Sequence, residues 1–258
     1  MTKQKWIILL LIIGTILLLF LIGSLISLNI FFGIFHKGNR AQYSVKKTQT
    51  LKDSPIKGNL YYFLGSSVTF GSASYNESMA DFIEKRNDCI VVKDAVSGTF
   101  LANSGKSSYV ERLSSFDVVK TPHAFICQLS TNDTRYDKKG VISDSFTKED
   151  FDKTTTYGAI EYIIAYAKET WDCPIIFYTN SYYDNEDYGN MVNAMKSIAI
   201  KWNIILIDLF SNDSFNAISD IERKLYMNDQ VHPTRAGYKL WWTAEFESVL
   251  YNLQNGEK

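Results

Sequence analysis

Asn59-Leu60-Tyr61-Tyr62-Phe63-Leu64-Gly65-Ser66-Ser67-Val68-Thr69-Phe70-Gly71 is an apolar run that stops abruptly at a glycine and two serines. Residues 59–64 read as a first β-strand, and their near-continuous apolarity suits a strand covered on both faces. Gly65 and Gly71 flank a tight exit from strand to helix. Such an exit can expose a hydroxyl beside a helix N-terminus. Serine is also a favoured helix cap, so the same residues could do no more than close a turn. A phosphate loop is the poorer reading, because the Gly-Lys-Ser/Thr ending of a nucleotide site is missing.

Outward from this stretch the same alternation repeats. Helix-like residues 79–85 precede a β-branched run, Cys89-Ile90-Val91-Val92, and residues 107–116 suggest a short helix. Ala124 to Leu129, Pro174 to Tyr178 and Ile204 to Leu209 read as three further strands, separated by amphipathic helices over 148–171 and 187–202. Thr234 to Leu253 closes the chain as a helix. Strands alternating with helices predict an α/β fold with a central parallel sheet covered on both faces. Ligands in such folds bind at the carboxyl ends of the strands.

The amino-terminal region has a different character. Trp6 to Phe35 contains no charged residue, and about 20 apolar residues suffice to cross a bilayer. A cleaved signal peptide would carry a shorter apolar core and a small-residue cleavage site; this run is far longer and no Ala-x-Ala follows it. The expected organisation is therefore a short tail (1–5), a single transmembrane anchor (6–35), a polar, lysine-rich tether (36–57) and one domain (58–258). Lys3 and Lys5 before the span favour a cytoplasmic N-terminus, whereas Lys37, Arg40, Lys46 and Lys47 after it count the other way. The expected arrangement is a cell-membrane protein with its domain outside the cytoplasm.

A formal net charge of −1 gives no support for nucleic-acid binding. Cys89, Cys127 and Cys173 cannot all pair, and each adjoins or lies within a β-like run, so buried free thiols are expected. No zinc-ligand spacing is present.

At the predicted strand ends, Asp94-Ala95-Val96-Ser97-Gly98-Thr99 offers a glycine whose backbone could approach a ligand, or a plain turn. Ser130-Thr131-Asn132-Asp133 offers a side-chain amide that could donate to an oxyanion, or cap a turn. Of the three histidines, His36, His123 and His232, only His232 has an acid at useful spacing, in Asn228-Asp229-Gln230-Val231-His232-Pro233. A histidine base needs a carboxylate to fix its tautomer and stabilise the imidazolium. Arg135 could contact an anionic or sugar substrate or be an ordinary surface residue. Tyr178 to Tyr183 could line an acyl or sugar pocket or pack against helices.

In this order, a serine after strand one, a glycine after strand two, an asparagine after strand three and Asp-x-x-His before the last helix resemble the SGNH (GDSL-like) hydrolase family. The resemblance spans nearly the whole domain and implies a three-layer α/β/α sandwich of flavodoxin-like type. Aligned on Gly65, Ser67 matches the nucleophile, with Asp229 and His232 completing a triad. Ser67, Gly98 and Asn132 match the oxyanion-hole positions. Two departures stand out: Gly65-Ser66-Ser67 replaces the usual Gly-Asp-Ser, and Ser130 replaces a glycine. The implied activity is hydrolysis of an acyl ester, such as an acetyl ester of a surface polysaccharide, with no metal or organic cofactor. The resemblance also leaves room for an acyltransferase using the same triad, or for a catalytically silent carbohydrate-binding module on a membrane stalk. No pattern speaks to oligomeric state.

Overall fold

The computed structural model describes residues 2–105 and 107–256. Met1 of the expected tail, and Lys106 with residues 257–258 of the expected domain, lie outside that range. The first element, α1 (Lys3–Phe32), is an uninterrupted apolar helix with none of its residues buried. Its length and composition are sufficient to cross a membrane.

The domain is built on five parallel strands, β1 (Leu60–Gly65), β2 (Ile90–Ala95), β3 (Ala124–Gln128), β4 (Ile175–Tyr178) and β5 (Ile205–Ile207), in the order β2-β1-β3-β4-β5. Side chains alternate across this sheet because the strand period is two. Tyr62, Leu64, Phe125, Cys127, Ile175 and Phe177 enter one core. Tyr61, Phe63, Ala124, Ile126, Ile176 and Tyr178 enter the other.

Helices cover both faces. Beyond α1, these are α2 (Ser67–Phe70), α3 (Met79–Asn87), α4 (Tyr109–Arg112), α5 (Thr156–Trp171), α6 (Glu186–Trp202), α7 (Asp213–Asn216), α8 (Asp220–Tyr226), α9 (Arg235–Gly237) and α10 (Thr243–Gln254). The first core takes Ile160, Ile163 and Ile164 from α5 and Met191, Val192 and Met195 from α6. Met79, Phe82 and Ile83 from α3 pack in the second with Phe246 and Leu250 from α10. The result is the expected three-layer α/β/α sandwich. A π-helical turn, Tyr238–Trp242, joins α9 to α10 and buries Tyr238, Trp241 and Trp242.

Two expected elements differ. The helix expected over 148–171 begins at Thr156, because the Thr155 side chain accepts from Gly158 N and caps it there; Lys148–Asp150 is only a 3-10 turn. Residues 36–57 are not a free tether. They run as three 3-10 turns, Lys37–Asn39, Ala41–Tyr43 and Val45–Lys47, and bury Asn39, Ser44, Thr48, Ser54 and Ile56 on the domain. Helices α7 and α8 had no apolar period strong enough to be read. All three cysteines are free, Cys89 and Cys127 buried and Cys173 half-buried.

Candidate active site

Strand order reverses between β1 and β3, since β1 leads outward to β2 while β3 leads the other way. The chain leaving each strand therefore diverges there and opens a crevice above the sheet. Ser67 follows β1 and Asn132 follows β3, so both stand on this crevice.

Ser67 opens α2. Its turn presses close to the strand it leaves, and a Cβ on Gly65 would collide with the Thr69 hydroxyl, so glycine is required there. The turn is held from below by Gln128, the polar last residue of β3. Gln128 Oε1 accepts from Ser66 N at 2.9 Å and Thr69 Oγ1 at 2.8 Å, and Thr69 Oγ1 in turn meets Tyr178 OH at 2.5 Å. From the side, Tyr238 OH donates to Val68 O at 2.6 Å. Ser66 is fully buried with its hydroxyl 3.3 Å from Gln128 Oε1. The Ser67 hydroxyl points the other way and lies 2.8 Å from His232 Nε2.

His232 is positioned by its own loop. Asp229 Oδ1 accepts from Val231 N and His232 N, both at 2.8 Å, and Asp229 Oδ2 lies 2.9 Å from His232 Nδ1. Asn228 N donates to His232 O at 2.9 Å, and Met227 pairs with Pro233 in an antiparallel bridge. Thr234 then caps α9. Burial pushes the Asp229 carboxyl up, but the His232 side chain and the backbone N–H groups of Val231 and His232 outweigh it and hold it below the usual carboxylate range. Near neutral pH it is a carboxylate facing Nδ1, which leaves Nε2 free to accept a proton from Ser67.

The opposite wall is knitted through Thr99. Its carbonyl accepts from Asn132 Nδ2 at 3.0 Å and from Ser130 Oγ at 3.1 Å. Ser130, where the resembling family has glycine, thus ties the third strand end to the loop after β2. Ser130 Oγ also accepts from Asn132 N at 3.2 Å. Gly98, next to Thr99, is exposed and left-handed (φ 79°) with open space where a Cβ would stand. Arg135 Nη2 donates to Asn132 Oδ1 at 2.9 Å, which fixes which face of the amide carries the N–H groups. The amide nitrogen has two donors and Thr99 uses one. Asn132 is thereby tied to Thr99, the chain neighbour of Gly98, and these hydrogen bonds do not reach Ser67.

Arg112 underlies this wall and had no signal in the sequence. Nearly buried, it donates to Gly65 O at 2.7 Å, Asp94 O at 2.9 Å and Ser107 O at 3.0 Å, and pairs with Asp94 Oδ1 at 2.6 Å. The ends of β1 and β2 are pinned at one guanidinium. Asp133, beside Asn132, is buried and accepts from Leu101 N at 2.9 Å, and burial raises its carboxyl to about 6. Behind Asp229 opens a cleft of about 590 Å³ lined by Tyr182, Tyr183, Arg223, Met227 and Gln230. Of the Tyr178 to Tyr183 stretch, Tyr178 is core and Tyr182 is half exposed on this cleft. Among the described residues no cluster of His, Cys, Asp and Glu could hold a metal ion.

Comparison with known proteins agrees with this architecture. The family model for GDSL-like lipase/acylhydrolase matches residues 61–244. No curated protein sequence matches. Among solved structures, a protein from Lactobacillus plantarum superposes with a TM-score of 0.62 at 17% identity, covering 76% of this chain and 97% of its own. A protein described as a GDSL-like lipase from Bacteroides ovatus gives 0.56 at 17% identity, covering 74% and 97%. A family two carbohydrate esterase from Clostridium thermocellum, in complex with cellohexaose, gives 0.52 at 16% identity, covering 78% and 66%. At these identities the structural likeness concerns the fold.

Proposed function

The chain belongs to the GDSL-like lipase/acylhydrolase family, and we propose that it is a membrane-anchored serine esterase whose triad is Ser67, His232 and Asp229. The observation that carries this reading is the unbroken line from Asp229 Oδ2 to His232 Nδ1 (2.9 Å) and from His232 Nε2 to Ser67 Oγ (2.8 Å). This is the nucleophile, base and orienter geometry of covalent acyl transfer.

Ser67 Oγ attacks the ester carbonyl as its proton passes to His232 Nε2, and the Asp229 carboxylate stabilises the imidazolium. The negative oxygen of the tetrahedral intermediate is met by the backbone N–H groups of Ser67 and Gly98 and by the second N–H of Asn132. Collapse expels the alcohol, which takes the proton from His232. Water, deprotonated by His232, then attacks the acyl-enzyme and releases the acid and free Ser67. Every step uses groups of this chain.

An acetyl or other short acyl ester of a cell-envelope carbohydrate is the proposed substrate. The half-exposed Tyr182 ring on the cleft behind Asp229 offers a surface for a sugar ring. In this reading α1 spans the membrane and the domain lies outside the cytoplasm. A fluorophosphonate probe tests the core of the proposal: it should label the native chain and not Ser67→Ala. A folded native chain that never labels would make the domain a binding module.

A further inference from the structure

The end of α1 is bonded directly to the loops that bear the triad. Asn228 Nδ2 donates to Ile30 O at 2.9 Å, and Asn39 Nδ2 donates to Gly33 O at 2.8 Å and Ala73 O at 2.6 Å. Tyr75 OH donates to Ile34 O at 2.6 Å. Gly33 ends the helix in the left-handed region (φ 60°), where a Cβ would lie 2.6 Å from Asn228 Oδ1 and 2.8 Å from Asn39 Nδ2. The joint closes only around glycine.

The segment that follows continues the bracing. Asn39 Oδ1 accepts from Arg235 N at 2.9 Å, Arg235 pairs with Glu77 at 2.8 Å, and Glu77 Oε2 accepts from Val45 N at 2.9 Å. Ala73, Tyr75 and Glu77 belong to the loop that leaves the Ser67 turn. Asn228 immediately precedes Asp229, about 3.8 Å along the chain. One helix end thus touches both triad-bearing segments.

The surface around the joint suits a bilayer interface. Phe31, Phe32, Phe35 and Tyr75 are exposed there; tyrosine favours the headgroup level, and the three phenylalanines supply apolar surface for the adjoining hydrocarbon. Lys37, Arg40, Lys46 and Lys47 are exposed on the next turns, where they can attract anionic headgroups. With 30 residues, α1 is longer than the roughly 20 needed to cross the hydrocarbon, so its last turn can reach that level. A free tether would let the site drift through many heights. The docked helix allows one.

We propose that the site acts on acyl esters carried by membrane lipids, with the docked end of α1 holding Ser67 and His232 at headgroup height. The ester is hydrolysed by the same steps, leaving the lipid-borne alcohol in the membrane and releasing the acid to water. This inference rests on the reading of Ser67 as nucleophile and of α1 as a span. Its advantage is confinement: enzyme and substrate in one surface meet at a high effective concentration.

The test uses the full chain in phosphatidylcholine–phosphatidylglycerol vesicles. An acetylated diacyl glycolipid in the same membrane is compared with the same acetylated sugar lacking the lipid tails. The lipid-borne ester should be cleaved faster by about 10²-fold at equal total concentration, the scale that confinement supplies. Equal rates overturn the proposal with no variant needed. Gly33→Leu combined with a Gly/Ser insertion after Phe35 should undock the domain, cutting the lipid preference by about tenfold while the free sugar ester is cleaved nearly as before. An undocked variant that keeps its preference also overturns it. A native chain that cleaves neither ester sinks the esterase reading itself, and protein extracted from the vesicles by alkaline carbonate sinks the span.

Discussion

The two walls of the proposed active-site crevice are held in opposite ways. On one, residues 227–233 form a closed loop in which Asp229 binds the backbone of Val231 and His232 and the imidazole of His232. On the other, Gly98 and Asn132 take their places through Thr99 and Arg112 from the β2–β3 connection and Ser130 and Arg135 from the β3–β4 connection. The first wall carries its positioning within a few residues of sequence. The second depends on chain segments that meet only after the sheet has formed. The wall of the proposed base should therefore respond to substitution mainly in chemistry, and the wall of the proposed oxyanion donors in chemistry and folding together.

The largest effects are expected at the wall of the proposed base. Ser67→Ala and His232→Ala should each cut kcat on a short-chain aryl ester by at least about 10⁴-fold, with urea midpoints near that of the native chain. A large loss of stability in His232→Ala would mean that the loop is not self-supporting. Asn132→Ala should lower kcat by about 10²–10³-fold with little change in KM if, as proposed, its free N–H serves the transition state. A rise in KM alone would reassign it to ground-state binding.

Arg112→Met separates the walls on a different axis. It removes the donors shared by Gly65 O, Asp94 O and Ser107 O and breaks a mostly buried ion pair. The expected loss is about 3 kcal/mol by urea unfolding, at the low end for such pairs because Asp94 keeps Ser115. Asp133 supplies a pH signature for the same wall. Its folded carboxyl titrates near 6 against an ordinary value of 3.8, so the folded state holds the proton more tightly. The stability this provides is full below pH 3.8 and lost as pH rises through about 6, on the order of 3 kcal/mol in all. Asp133→Asn should flatten that slope in unfolding curves measured across the interval. The smallest effect is expected at Ser66→Ala, which should retain kcat within about tenfold while weakening the Gln128 contact. If it were the inactive variant and Ser67→Ala the active one, the nucleophile would be misassigned.

The same contrast explains what could be read in advance. The sheet was legible because its strands are apolar on both faces, and so was the Asp229–His232 loop, because its carboxylate and imidazole are three residues apart. The starts of α3, α6 and the last helix came out close to their observed places. Arg112 was illegible: an arginine in a short polar helix looks like a solvated charge until Gly65 and Asp94 are seen beside it. Gln128 left a trace, as the one polar residue closing the apolar run of β3, but its purpose shows only with the Ser67 turn above it. Residues 36–57 misled because their burial comes from backbone turns and single polar anchors such as Asn39, which leave no hydrophobic period. Arg135 was read as a surface or substrate residue, and its contact with Asn132 Oδ1 depends on the local 3-10 turn Thr131–Arg135.

The π-helical turn Tyr238–Trp242 can be viewed as a matter of counting. A π turn holds one residue more than the surrounding α-helix, and each residue turns a helix by about 100°. At its first residue, Tyr238 must point at Val68 O; downstream, Phe246 and Leu250 must point into the sheet. Those two directions are reconciled by the extra residue. Deleting the exposed Leu240 would restore an ordinary helix and put the two ends out of phase, so either the Ser67 turn would lose its tyrosine or the last helix would lift from the core. In this helix the length of the chain, as much as its composition, is under constraint.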